Sequence, residues 1–338
     1  MRSASAALAL FFAATIVLFS LSAPRFASAS TVENLMSGFS FAAILAMGQA
    51  FPILVRGIDL SIGAIVGLVG MIVFDLSLIL HLPGYFILPL ALLAGALAGA
   101  LNGVLVVHLR LQPFIATLAT LAAYRGLTYA ISGRQLVPGL TTTPIRDPWL
   151  TGIETYFDVG RWLGLSRFVN MPWVPLSFVI MLAVFAVLQI LLTSTRFGRD
   201  IYATGGNYEA ARLAGIRVNG VIIAAYALAG VCAAIAALIM VARFTTATEA
   251  LGAGMELTAI AAAVIGGVSL AGGVGAMFGP ALGAFLLGAI LIGLTLQGVP
   301  QFVQQIITGA ILLAAVGYDR LLSVRRQRRL SAPSATAT

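Results

Sequence analysis

The chain has 338 residues, 60% of them hydrophobic and 9% charged, with a mean hydropathy of +1.05. A soluble domain carries about 25% charged residues, so a water-exposed globule is excluded and an all-α integral membrane protein is indicated. The net charge of +8 comes wholly from Arg, because Lys is absent, and these arginines sit in short loops between apolar runs. That distribution excludes a nucleic-acid-binding domain and fits orientation by cytoplasmic positive charge.

The N-terminal stretch has Arg2, an apolar core and Ala27–Ala29 in an Ala-x-Ala pattern, like a signal peptide. Its apolar part, Ala4 to Ala23, exceeds the ~7–15 residues of a signal core and reaches the ~20 needed to span, which predicts a retained first helix. Apolar runs then predict about ten transmembrane helices, at 5–22, 37–55, 60–80, 85–107, 113–132, 173–193, 218–242, 257–272, 277–296 and 302–318. The eighth run ends in Gly-rich sequence, "AVIGGVSLAGGVGAMFG", which predicts a broken or re-entrant segment.

Between the second and third runs lies "RGIDLSIGAIVGLVG", Arg56 to Gly70. Asp59 and Ser61 precede a new helix, where a carboxylate caps free backbone N–H groups, and Arg56 is placed to pair with Asp59 across the turn. Polar breaks of this kind persist only where protein or a water-filled path covers them. Asp59 and Ser61 are therefore candidates for the inner mouth of a translocation path. Asn102, Thr117 and Thr120 could exchange hydrogen bonds with a passing polyol. Arg125, in the fifth run, and Asp75, in the third, are intramembrane charges of the kind that face a bundle interior or cavity.

Arg196, Arg199, Arg212 and Arg217 fall between runs six and seven, and Arg320, Arg325, Arg326, Arg328 and Arg329 crowd the C-terminal tail. Four runs separate the two clusters, so both face one side, the cytoplasm, with the N-terminus. The domain division is a transmembrane region, 1–318, followed by a basic cytoplasmic tail, 319–338, of disordered composition. The segment 133–172, rich in Pro, Gly and aromatics, is a small periplasmic subdomain, and a second external loop, 243–256, carries Glu249 and Glu256.

The cytoplasmic loop 194–217 contains "GGNYEAARLAG". Gly205 and Gly206 break the chain, Asn207 is an N-cap, and Gly215 is a stop for a two-turn helix. Glu209 near its start and Arg212 further on suit the helix dipole. Ala210, Leu213 and Ala214 form an apolar stripe that needs something to bury against, a groove on another protein or the lipid headgroups. Without Lys there is no phosphate-binding P-loop, so any ATP hydrolysis belongs to a partner and the chain is not an enzyme. His81, His108 and Cys232 are too scattered for a metal site, and no cofactor is implied.

The segment 195–216 resembles the coupling loop of permease subunits of bacterial ABC sugar importers, the branched permease family of ribose, xylose, rhamnose and autoinducer-2 type. "GIDLSIGA", Leu101–Leu127 and Glu256–Gly288 are similar to further signatures of that family, in the same order. Arg56 departs from the family's usual Gly, and Val274 from a position often basic. The resemblance implies a multi-pass protein of the bacterial inner membrane. Its partners would be an ATP-binding cassette ATPase, a periplasmic solute-binding protein, a second permease subunit (identical or paralogous) and membrane lipid. On that reading Asn207, Glu209, Ala210, Arg212, Leu213 and Gly215 meet the ATPase, and the two external segments meet the binding protein. An ion-coupled secondary transporter of a small polar solute, with Asp75 as coupling carboxylate, is the alternative.

Overall fold

The computed structural model describes residues 2–132, 147–157 and 174–331. Five helices precede the external segment: α1 (Arg2–Ser22), α2 (Ala29–Leu54), α3 (Ile62–Leu78), α4 (Gly84–His108) and α5 (Pro113–Ser132). After α6 (Pro148–Thr151) and a two-stranded ribbon come α7 (Leu176–Ser194), α8 (Arg196–Gly206), α9 (Tyr208–Leu213), α10 (Val218–Phe244), α11 (Met255–Ile265), α12 (Phe278–Leu296) and α13 (Gln301–Ser331). Six of them, α2, α4, α5, α7, α10 and α12, are long and apolar enough to cross a membrane. The remaining predicted runs fall on shorter apolar helices, 6–22, 62–78, 255–265 and 301–317.

The centre of the bundle is α2 and α10. Every residue of α2 from Ala42 to Leu54 is buried, including Gln49 and Pro52. Helix α10 packs on α2, α3 and α4. Against α4 the contact is backbone to backbone: Gly95, Gly99 and Gly103, one turn apart, face Gly230, Tyr226 and Ile223. Small residues at this spacing bring helices close where no hydrophobic drive is available, so dispersion over a large contact area replaces it. The opposite face of α4 presents Leu93, Leu97 and Leu101 outward, which suits lipid.

The eighth run departs most from a simple span. Helix α11 has 11 residues, roughly 16 Å of rise against a ~30 Å hydrocarbon core. Within the loop 243–256, Leu251 and Gly252 lie against α3, while Ala250, Ala253 and Gly254 are exposed. Gly63, Gly67 and Gly70 of α3 have no side chain where the Gly252 carbonyl, the Leu251 carbonyl and the Leu251 side chain lie. The glycines that make α3 look like a packing helix therefore accommodate irregular chain.

Of the predicted subdomain 133–172, residues 147–157 are described, and 133–146 and 158–172 lie outside the described residues. Asp147 caps α6, accepting from Trp149 N (2.9 Å) and Leu150 N (3.2 Å), and its other oxygen accepts from Gly84 N (3.0 Å), fixing this piece to the start of α4. Strand β1 (Tyr156–Phe157) pairs antiparallel with β2 (Val174–Pro175). At the far end α13 continues through 319–331, the first part of the predicted tail. Residues 332–338 lie outside the described residues.

Candidate functional site

The break between α2 and α3 is built on Asp59. Its Oδ1 accepts from the Ser61 amide (2.8 Å) and hydroxyl (2.7 Å), and Asn102 Nδ2 donates to both carboxylate oxygens at 3.3 Å. Asn102 Nδ2 also reaches Ser61 Oγ at 2.7 Å. All three residues are fully buried. With its amide oriented to suit its neighbours, Gln49 bridges the Asp59 backbone, accepting from N at 3.0 Å and donating to O at 3.1 Å. A buried carboxylate with this many donors is tolerable, since each donor replaces a lost water. Two polar atoms near the cluster stay without a partner, Asn102 Oδ1 and the Tyr226 hydroxyl.

Thr117 and Thr120 sit on α5 beside this break. Thr117 Oγ1 donates to Ile58 O (3.1 Å) and Pro113 O (2.9 Å), and Thr120 Oγ1 to Thr117 O (3.2 Å). Arg125, one to two turns further along α5, is apart from the Asp59 cluster. Its guanidinium donates to the carbonyls of Glu249 (2.9 Å), Leu251 (2.7 Å) and Gly63 (3.3 Å). It supplies donors to the irregular chain that leads into α11. Asp75 lies half-buried one turn from the end of α3.

Arg56 does not pair with Asp59. It turns the other way, with φ +66, and its Nε donates to Gly205 O at 2.6 Å while Nη2 donates to Gly206 O. The reason is local: Asp59 has Ser61 and Asn102 as donors inside the bundle, whereas the last carbonyls of α8 lack partners within their own helix.

Helices α8 and α9 form a hairpin. Thr195 caps α8 by accepting from Gly198 N at 3.2 Å, and α8 buries Gly198, Ile201, Thr204 and Gly205. Gly205 and Gly206 close α8 rather than standing free of it. Asn207 caps α9 through Ala210 N at 3.1 Å, Glu209 and Arg212 form an ion pair of 3.0 Å, and Gly215 has φ +82. Ala211 faces inward, while Ala210, Leu213 and Ala214 are exposed. Leu213 is 83% exposed. It stands on a helix of 6 residues, too short to be stable alone.

Residues 31–316 match the family described as branched-chain amino acid transport system / permease component. The chain belongs to this family. It is 36% identical over 311 residues to the ribose import permease protein RbsC of Haemophilus influenzae, covering 92% of this chain and 91% of that one. It is 38% identical over 307 residues to RbsC of Escherichia coli (90% of each chain) and 35% over 341 residues to the xylose transport system permease protein XylH of Escherichia coli (86% and 85%). No solved structure matches it. The chain is thus a permease subunit, a multi-pass protein of the cytoplasmic membrane whose partners are a separate ATPase and a periplasmic binding protein.

Three features of this permease escaped the reading of its sequence. Gln49 sat unremarked in an apolar run, though a polar residue there was itself a signal. The role of Arg56 depends on Gly205 and Gly206, about 150 residues away. The third is a contact in which Arg243 lies 3.8 Å from Glu154 and donates to Ser37 Oγ, tying the 147–157 piece to α10 and α2. Burial raises the Glu154 carboxyl above the usual carboxylate range, and Arg243 opposes that shift.

Proposed function

We propose that this permease forms the membrane pathway of an ATP-driven importer for a monosaccharide or sugar-like solute, with the α8–α9 hairpin as the seat of the ATPase. The bare stripe of Ala210, Leu213 and Ala214 on a short helix held at both ends by its caps supports this reading most directly. Asn207 and Gly215 set the ends of the docking helix, and Glu209 and Arg212 supply charges at its rim. The relatives named for ribose, D-allose and xylose point to the cargo class.

In this reading residues 1–318 form one transmembrane domain of ten crossings, with α11 the short eighth. Both termini face the cytoplasm. Segments 133–172 and 243–256 receive the binding protein, and a second permease copy, identical or paralogous, completes the pore. Asp59, Ser61, Asn102, Thr117 and Thr120 hold the inner end of the path, and Arg125 holds the irregular segment beside it. Their hydrogen bonds are spent on one another and on backbone, so a passing solute or water would have to take their place.

The test is Leu213→Asp in the assembled transporter. A carboxylate buried in an apolar groove costs several kcal/mol, on the order of 2–5, so co-purification of the ATPase and sugar uptake should both fall while membrane insertion holds. Undiminished co-purification and uptake would remove the hairpin as the docking element.

A further inference from the structure

Three pieces of irregular backbone meet on the cytoplasmic side: the break after α2, the end of α8, and the glycine loop between α11 and α12. Gly273 N donates to Leu54 O at 2.9 Å, and Tyr202 Oη of α8 donates to Gly275 O at 2.7 Å. A Cβ on Gly205 would overlap the Leu54 carbonyl and lie 2.6 Å from Gly273 N. One on Gly272 would overlap Arg56 Cγ, and one on Gly273 would lie 2.8 Å from Gly206 N. The contact is therefore backbone against backbone, with Arg56 laid across it.

Arg56 is held at φ +66, a region that non-glycine residues enter at a cost. Glycine, the usual residue of the resembling signature, would make the same turn freely. The guanidinium uses that strained placement to bind Gly205 O and Gly206 O, immediately before the Asn207 cap of the docking helix. Such outliers persist where the surroundings over-determine them.

We propose that Arg56 is a clamp that transmits displacement of the α8–α9 hairpin to the two broken helices, making it a positioning residue for the transport cycle. The route is short and specific. A pull on α9 moves the carbonyls of Gly205 and Gly206, these carry the guanidinium, and Arg56 stands three residues before the Asp59 cluster that closes the α2–α3 break. The same displacement moves Gly273 and hence the loop leading into α12. The inference rests on the hairpin being the ATPase seat.

Arg56→Gly, Arg56→Lys and Leu213→Asp should be compared in the complete transporter in lipid nanodiscs. The readouts are hydrogen exchange along the permease and sugar moved per ATP hydrolysed. Arg56→Gly makes the turn and should keep wild-type levels and bound ATPase. Exchange at 203–213 and 269–276 should rise at least ~5-fold, because local opening loses its tie. Sugar moved per ATP should fall about 3-fold or more, the size of a broken coupling contact. Arg56→Lys, a single point charge without the fork, should recover part of both. Unchanged exchange in Arg56→Gly would overturn the clamp, and raised exchange with wild-type sugar per ATP would overturn the transmission. Failure of the docking reading shows separately, as ATPase still bound to Leu213→Asp.

Discussion

Arg125 and Arg56 solve the same problem in two places. Each leaves its own element to satisfy carbonyls of irregular backbone, Arg125 those of Glu249, Leu251 and Gly63, and Arg56 those of Gly205 and Gly206. The surroundings differ. Arg125 is half-buried between α5, α3 and the loop before α11, whereas Arg56 is exposed beside the end of α8. Two of the three carbonyls that Arg125 binds belong to buried residues, Leu251 and Gly63, whereas Arg56 binds one of a buried residue, Gly205, and one of an exposed residue, Gly206. The same hydrogen-bond chemistry should thus appear as stability in one region and as coupling in the other.

The largest expected effect follows from the inner member of this pair. Arg125→Ala strands two to three buried acceptors, each worth about 1–3 kcal/mol, for a total loss of roughly 2–5 kcal/mol. Cys232, 1% exposed and the chain's single cysteine, can report it. Its reaction with a thiol-specific fluorophore during heating should begin well below the wild-type temperature. An unshifted midpoint would dissolve the distinction between the two arginines.

Gly205→Ala comes next and sharpens the outer member. The added methyl meets the Leu54 carbonyl and Gly273 amide, backbone that cannot step aside as a side chain can. Overpacking of this kind costs about 1–3 kcal/mol, and the hairpin should separate from the α2–α3 break. Loss of sugar uptake at near-normal expression is the expected reading. Normal uptake would mean that the three-way contact is not needed in the cycle.

A smaller effect is expected at the Asp59 cluster. Asn102→Ala removes one donor from a carboxylate that keeps both Ser61 donors, so the loss should be about 1–2 kcal/mol, read by the same Cys232 assay. An effect as large as that of Arg125→Ala would place the cluster, rather than the Arg125 contact, at the centre of stability. Smallest is Glu209→Ala. Its ion pair with Arg212 is about two-thirds exposed on both sides, and such pairs contribute below ~0.5 kcal/mol. The permease alone should melt unchanged, and any deficit should appear only with the ATPase present.

Placement relative to the membrane offers a separate check. A reporter fused after Gly152 should read the periplasm and one fused after Asn207 the cytoplasm. The same side for both would break the topology on which the inner and outer assignments of Arg125 and Arg56 rest.

The apolar runs, the asymmetric arginines and the capping residues Asp59, Asn207 and Gly215 were legible in the sequence because each acts within a few residues of itself. Hydrophobic length, loop charge and helix-end chemistry are local quantities, and so the apolar helices, the short helix α9 and its bare stripe could be read directly, whereas α8 was not. Long-range partnership was not legible. Nothing near Arg56 announces Gly205, and nothing near Arg125 announces Leu251. The glycines of α3 are compatible with a close helix or with irregular chain, and only the packed bundle selects the second. Hydrogen bonds to backbone carbonyls carry no residue signature on the acceptor side, so their donors can be identified only once the chain is folded.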